Sequence, residues 1–257
     1  MKNLSVIVST YNEENNINEC LESVKWADEI IVIDSSSRDK TAEIAKSFTD
    51  KVFTTQTKSF SEKKNFGIDK ASCEWVLWID ADERVTEELK NEIRQIVSGS
   101  GSGTSVYKIG RKSFFISKFI KHCGWHPDFG IRLFKKSAGV SFTEVRVHEK
   151  IDYSGKPGKL RNEIIHYTDL TFEHYISKMN SYTTSSALDL QERNKKSTLN
   201  DIIFRPVFTF IKMYFLKLGI LDGYIGLVLC TLSSVHVFVK YSKLFFFNTK
   251  ITVKWKI

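Results

Sequence analysis

The chain has 257 residues, 42% of them hydrophobic and 26% charged, enough to bury a substantial core in one domain with an appendage. Its four cysteines, Cys20, Cys73, Cys123 and Cys230, are far apart and form no CxxC pair, which speaks against a disulfide framework or a zinc site and fits a reducing compartment. The formal charge of +8 belongs to the tail: residues 1–194 carry 28 Lys+Arg and 28 Asp+Glu, whereas residues 195–257 carry 10 and 2. A basic surface spread over the whole protein, as a nucleic-acid partner would need, is therefore not expected. A basic tail that also holds 12 of the 33 aromatic residues points instead to an anionic membrane surface.

Met1-Lys2-Asn3 leads straight into Leu4–Val8, a first buried strand, so no signal peptide is expected. A helix runs to about Trp26, and Glu29–Asp34 is a second strand. Ser35–Asp39 is a turn whose small polar residues suit the cap of a helix starting near Thr41. Lys51–Thr54 is a short third strand, Phe60–Ala71 a third helix, and Trp75–Ile79 a fourth strand whose unbroken apolar run suits burial on both faces. Strands separated by single helices predict right-handed crossovers and a mostly parallel, Rossmann-like α/β sheet flanked by helices.

Ligands of such sheets bind beyond the carboxyl ends of the strands, and three of these ends are polar: Thr10–Glu13, Asp34–Ser37 and Asp80–Asp82. Asp80 and Asp82 alternate with Ala81, so they point the same way, roughly 7 Å apart. Two such carboxylates repel unless a cation lies between them, and hard oxygen donors suit Mg²⁺ or Mn²⁺ with open positions for phosphates. An acidic turn before the next helix is the plainer reading of the same tripeptide. Asp34, Thr10, Asn12 and Glu13 have the groups to hydrogen-bond a ribose or base edge, and Lys64 and Asn65 to meet phosphates. Asp34 would equally serve as a helix cap, and Lys64 as an ordinary solvated lysine. No Gly-x-Gly-x-x-Gly or P-loop follows the first strand, which disfavours a dinucleotide oxidoreductase.

The segments Val6-Ile7-Val8-Ser9-Thr10-Tyr11-Asn12-Glu13-Glu14, Val32-Ile33-Asp34-Ser35-Ser36-Ser37-Arg38-Asp39-Lys40-Thr41, Lys64-Asn65-Phe66-Gly67 and Ile79-Asp80-Ala81-Asp82, in this order and spacing, resemble the family 2 glycosyltransferases of GT-A fold. The resemblance implies a UDP-sugar donor contacted by Thr10, Tyr11, Asn12, Glu13, Asp34, Ser36, Lys64, Asn65, Asp80 and Ala81. It implies a divalent cation, Mg²⁺ or Mn²⁺, at Asp80 and Asp82, and inversion at the anomeric carbon. Ile131-Arg132-Leu133-Phe134-Lys135, Val147-His148-Glu149 and the stretch from Arg205-Pro206 to Leu221-Asp222-Gly223 are most similar to lipopolysaccharide-core glucosyltransferases acting on heptose. The sugar moved would then be a hexose such as glucose, and the acceptor a lipid-linked or lipopolysaccharide-core glycan. Residues 1–169 would form the GT-A domain, with 1–98 binding the donor and 104–169 the acceptor, and 170–257 a helical, membrane-associating appendage.

Beyond the helix from Thr86 to Val97, Gly99–Gly103 reads as a flexible connector. Strands are expected at Thr104–Ile109, Phe129–Phe134, Ser141–Val147 and Lys159–His166. The basic, aromatic stretch Lys108–Lys121 reads as a mobile loop over the donor or a solvated connection. An inverting transfer needs a general base; Glu149 is the first candidate, because it resembles the family's acceptor-side acid, and Asp128 the second. His166 ends a strand, and the resemblance suggests that it joins the metal or phosphates; a core histidine held by one hydrogen bond is the alternative.

Leu170–Arg193 reads as a polar amphipathic helix. Ile202–Leu218 is apolar almost all round, with Arg205, Thr209 and Lys212 on one face, and Gly219 and Gly223 bracket a turn at Asp222. Tyr224–Val239 is apolar but shorter than the roughly 20 residues of a spanning helix. Lys240, Lys243 and Lys250 flank Phe245-Phe246-Phe247, a mixture expected of helices lying in the interface at the cytoplasmic face of an inner membrane. A buried hairpin covering the sheet, or a homodimer interface, is the competing use of the same residues. A non-catalytic nucleotide-sugar-binding protein and a metal-dependent nucleotidyltransferase are the competing functions.

Overall fold

The computed structural model describes residues 3–57, 59–100, 103–145, 148–169 and 171–249, with the backbone alone at 60, 100, 144–145 and 148–150. The chain divides into two units, Met1–Lys112 with Asp128–His166, and Ser113–Pro127 with Tyr167–Ile257.

The first unit starts as predicted: β1 (Leu4–Thr10), α1 (Ile17–Val24), β2 (Glu29–Asp34), α2 (Thr41–Lys46), β3 (Val52–Thr54), α3 (Phe60–Lys70) and β4 (Trp75–Asp80). β3, β2, β1 and β4 pair in that order, all parallel. The alternation of side chains along each strand explains why the runs carry no polar face. Val6, Val8, Leu77 and Ile79 pack on one side with Ile17, Leu21 and Val24 of α1. Ile7, Ile31, Ile33, Val76 and Trp78 pack on the other with Ile68 of α3. Gly67 lets α3 lie this close, since a Cβ there would come within 2.9 Å of Ile7 and 3.1 Å of Trp78.

Past β4 the sheet changes character. A two-residue strand β5 (Glu83–Arg84) precedes α4 (Glu87–Gln95), which Thr86 caps by accepting from the Leu89 amide at 3.2 Å. β6 (Val106–Phe115), β7 (Lys118–Phe119), β8 (Asp128–Lys135), the hairpin β9 (Ser141–Val145) and β10 (His148–Asp152), and β11 (Gly158–Asp169) follow. The order continues from β4 through β8, β6 and β11 to β5. β8 is antiparallel to β4, β6 to β8 and β5 to β11, so the sheet is mixed. The stretch 108–121 is neither a lid nor a solvated link, because most of it is β6 and the β6–β7 hairpin, with Phe115 and Ile120 fully buried.

The second unit holds the end of β6, β7, and the helices α5 (Phe172–Glu192), α6 (Leu199–Ile211) and α7 (Gly223–Thr249). Phe115, Ile120 and Cys123 pack against Ile225, Leu229 and Cys230 of α7. Buried Asp222 joins these parts: its carboxylate accepts from the amides of Lys121 at 3.2 Å and His122 at 2.8 Å, and its carbonyl from Lys118 Nζ at 2.7 Å. All four cysteines are free and buried. The apolar run at 224–239 does not end its helix at Val239; α7 continues through Lys240 and Lys243 to Thr249, because Lys243 finds partners on α5. Gly219–Thr249, 31 residues, is long and apolar enough to cross a membrane by length and composition, which corrects the expectation that this run is too short.

Candidate active site

Register places the strand ends level. Thr10 of β1 is opposite Asp34 of β2, and Ser9 opposite Asp80 of β4. Because the three strands are parallel, their polar tips emerge at one edge of the sheet.

Two loops meet at the first two tips and are stitched together. The Asn12 amide donates to Ser37 Oγ at 2.8 Å, Asn12 Oδ1 accepts from the Arg38 amide at 2.9 Å, and the Glu13 amide donates to Thr41 Oγ1 at 2.8 Å. Asn12 and Ser36 hold left-handed backbone, φ 52° and 64°, conformations that non-glycine residues keep only when their surroundings enforce them. Asp34 is buried and accepts from the Ser37 amide at 3.1 Å and hydroxyl at 2.5 Å. Beside it, the Thr10 hydroxyl is buried with no hydrogen-bond partner, an orphan that calls for an explanation. Tyr11 stands out from the loop, 55% exposed.

The third tip is a charge network. Asp80 Oδ1 accepts from Ser9 Oγ at 2.6 Å, and its Oδ2 lies 3.4 Å from Arg132 of β8. Arg132 is also paired with fully buried Glu83 at 2.8 Å, and Glu83 accepts from the Asp80 amide at 2.9 Å. Burial would raise the Asp80 carboxyl, but Arg132, the Ser9 hydroxyl, Lys64 and His166 together hold it below the usual carboxylate range. Glu83 shares Arg132 and His166, but complete burial outweighs them and, with help from Asp80 and Asp82, pushes it up to about 7.

The pairing of β5 with β11 sets His166 opposite Glu83 and brings His166 Nε2 to 3.3 Å from Asp82 Oδ2. Among the described residues no group of three or more His, Cys, Asp or Glu is arranged to hold a metal. The donors fit a weaker, substrate-completed site all the same. Mg²⁺ needs only one or two protein carboxylates, with waters and substrate phosphates in the other positions, and Asp80 and Asp82 are carboxylates of that kind; His166 Nε2 lies at hydrogen-bonding distance, 3.3 Å, from Asp82 Oδ2.

Residues 5–146 match the family described as Glycosyl transferase family 2. The chain belongs to that family. It is 26% identical over 253 residues to the lipopolysaccharide core biosynthesis glycosyltransferase LpsC of Rhizobium meliloti (strain 1021), covering 94% of this chain and 92% of that one. It is 29% identical over 262 residues to the uncharacterized glycosyltransferase RT0209 of Rickettsia typhi, covering 95% and 87%. Among solved structures it is similar to S. aureus TarS 1–349 in complex with UDP-GlcNAc (TM-score 0.47, 15% identity, 96% of this chain and 92% of that one). It is also similar to glucosyl-3-phosphoglycerate synthase from Mycobacterium tuberculosis in complex with Mn²⁺, UDP and glucosyl-3-phosphoglycerate (TM-score 0.36, 23% identity, 44% of each chain).

In this glycosyltransferase of GT-A fold, Thr10, Asp34, Asp80, Ala81, Asp82 and His166 gather at or beside the strand ends, with Ala81 buried and its amide donating to the Ser9 carbonyl at 3.0 Å. Other predicted residues have further duties. Ser36 Oγ donates to the Thr55 carbonyl at 3.1 Å, and Glu13 accepts from the Asn16 side chain at 2.7 Å. Asn65 uses both ends of its amide on the backbone of Phe142 in β9, at 2.7 and 2.9 Å. Lys64 lies over the Phe142 ring at 4.7 Å while its charge still reaches Asp80. Asp128 opens β8 and is gripped through Oδ2 by Arg111, at 3.0 Å from Nε and 2.5 Å from Nη2. Glu149 is in β10, opposite Glu144; its side chain is outside the described part, as is Val147 before His148.

Sequence reasoning missed Glu83, Arg111, Arg132 and Ser9 as members of the site. Only the strand order brings Arg132 to Asp80, 52 positions away. Lys63 was missed too: burial lowers its ammonium, and Asp34 opposes that by its charge.

Proposed function

We propose that this chain is an inverting, metal-dependent hexosyltransferase that moves a sugar, glucose being our choice, from a UDP-sugar to a lipid-linked or lipopolysaccharide-core-type glycan. The observation that carries this reading is the level placement of Thr10, Asp34 and Asp80 with Asp82 and His166 converging beside them. Asp34 accepts hydrogen bonds from the nucleoside, and the orphaned Thr10 hydroxyl gains its missing partner there. Asp80, Asp82 and His166 are the residues that would hold a divalent cation, which would supply positive charge beside the diphosphate. Lys64 adds a second charge on the same side. A carboxylate, Glu149 or Asp128, takes the acceptor hydroxyl's proton as its oxygen bonds to the anomeric carbon; the bond to the diphosphate breaks on the opposite face and its electron pair leaves with UDP. Full-length likeness to a lipopolysaccharide-core enzyme supports the acceptor class.

For the tail we propose an interfacial position at the cytoplasmic face of the inner membrane. Supporting it, Phe204, Phe208, Phe215, Leu227, Val235 and Phe238 are exposed on α6, α7 and the turn between, far more apolar surface than a lone soluble unit leaves bare. Against a span, α5 lies along the later part of α7. Tyr175 bonds Ser233, Lys243 bonds Asn180, Thr183 and Thr184 at 2.8–2.9 Å, and Gln191 bonds the Phe247 carbonyl at 3.2 Å. A crossing would drag Glu173, Asp189 and Glu192 of α5 into hydrocarbon. The part of α7 before Ser233, about ten residues, covers only roughly 15 Å of a 30 Å core.

A donor screen by thermal shift tests the enzymatic reading. With Mn²⁺ present, one UDP-sugar should raise the melting temperature, in proportion to the logarithm of saturation, and UDP should do the same. No shift with any UDP compound would remove the donor assignment.

A further inference from the structure

Beside Asp80 lies a cavity of about 160 Å³ lined by Ile109, Gly110, Arg111, Asp128, Gly130, Arg132 and Ile164. We infer that it seats one uncharged sugar ring of the acceptor, with Asp128 and the two arginines reading its hydroxyls. The inference rests on the glycosyltransfer reading above and specifies its second substrate.

Size comes first: a cavity of about 150 Å³ holds a six-membered ring such as benzene, so this one takes a single ring and not a nucleotide. Its position follows from Arg132, which lines the cavity and lies 3.4 Å from Asp80 Oδ2. A ring seated there adjoins the strand end assigned to the donor diphosphate.

Its chemistry is that of hydroxyl recognition. Arg111 bonds Asp128 through Oδ2 alone, its Nη1 lying 3.9 Å from Glu83 Oε1, which leaves Asp128 Oδ1 to accept from a ligand. The charges are matched within the wall: Arg111 with Asp128, Arg132 with Glu83 and Asp80. Such a wall has no unspent cation for a phosphate or carboxylate, whereas a fixed carboxylate–guanidinium pair offers acceptors and donors in one plane, as sugar hydroxyls need. Ile109 and Ile164 line the cavity but are almost wholly buried, so the wall a ring meets is mainly the polar one formed by Asp128 and the two arginines.

Gly130 provides the test. A Cβ there would meet nothing nearer than Arg132 Nε at 3.7 Å, so a side chain fits the strand and enters the cavity from the Arg132 side. Saturation-transfer NMR on the full chain would use methyl mannoside, methyl glucoside and a methyl heptoside as neutral probes, and glucose 6-phosphate and methyl galacturonate as charged ones, each with and without UDP and Mn²⁺. At least one neutral glycoside should receive saturation from the wild-type protein and lose it, tenfold or more in affinity, in Gly130→Val. Should Gly130→Val not fold, Asp128→Asn serves as the second variant and should cost the same signal. Equal binding by wild type and variant, preference for the charged probes, or no binding by any would each overturn the proposal. UDP affinity, read in parallel by thermal shift, separates this failure from failure of the donor reading: loss of UDP binding alone discredits the donor site and leaves the glycoside arm to decide the cavity.

Discussion

The Thr10 hydroxyl is buried without a partner at the tip of β1, a state that costs the folded protein on the order of 1 kcal/mol or more until something bonds it. Thr10→Val therefore has two opposed expected effects. The ligand-free protein should melt slightly higher, and UDP should bind about fivefold more weakly, one lost hydrogen bond at roughly 1 kcal/mol. Calorimetry with and without UDP reads both; unchanged affinity would mean that the hydroxyl faces nothing on the donor. The two candidate bases separate at the same scale. Glu149→Gln should keep UDP affinity and lose about a hundredfold in turnover, the usual size of an acid–base contribution. If Asp128→Asn shows that loss in its place, the base is the residue Arg111 holds.

At the scale of elements, the first four strands are held in register by more than their backbone ladders. Glu29, at the start of β2, is buried and bonds Ser5 of β1, Lys51 beside β3, and Ser72 before β4 at 2.8 Å. Burial alone would raise its carboxyl, but these donors, Lys51 foremost, bring it down to about 2 from an ordinary 4.5. A carboxyl lowered in the folded state contributes stability that is fully present above its unfolded pKa and is lost as pH falls through its folded one. The window is thus about pH 4.5 down to 2, and the contribution at neutral pH is about 3 kcal/mol, an order-of-magnitude figure. Urea midpoints should show Glu29→Gln well below wild type at pH 7, with the gap closing as pH approaches 2.5. A gap that stays constant would mean the contacts act without the charge.

Helix α3 carries a different lesson. Its motif Lys64-Asn65-Phe66-Gly67 reads in the sequence as phosphate chemistry. In the fold, Gly67 sets the closeness of α3 to the sheet and Asn65 ties α3 to β9. Half of that motif is architecture, and an amide or a glycine looks the same in either use until its neighbours are known.

For the whole molecule, the decisive quantity is where the tail's surface goes. If the exposed phenylalanines of α6 sit in a lipid interface, the full chain should float with vesicles containing anionic phospholipid and not with neutral ones. Phe204→Ser with Phe208→Ser should abolish flotation while leaving donor binding intact, and raising salt should weaken it through Arg205, Lys212 and Lys217, all exposed. Flotation indifferent to both the substitutions and the lipid charge would move this surface to a protein partner, a second copy of the chain being the first to test by sedimentation.

Much of this was legible in the residues themselves. Apolar runs with no polar face mark strands covered on both sides, and a strand joined by one helix to the next can hardly do other than lie parallel to it. The positions of Thr10, Asp34 and Asp80 at one sheet edge therefore follow from local pattern and chain chirality. The likeness of the chain to family 2 glycosyltransferases is carried by the same short segments. What local pattern cannot reach is a neighbour relation made by a long return of the chain. β8 enters the sheet beside β4 although three strands intervene in sequence, and that insertion alone delivers Arg132 to Asp80 and Glu83 and shapes the wall of the cavity next to them. Likewise the length of α7 depends on Lys243 meeting side chains of α5, some 60 residues away. A lysine in an apolar run reads as a stop when the chain is taken by itself, because its charge needs partners that only the folded molecule supplies.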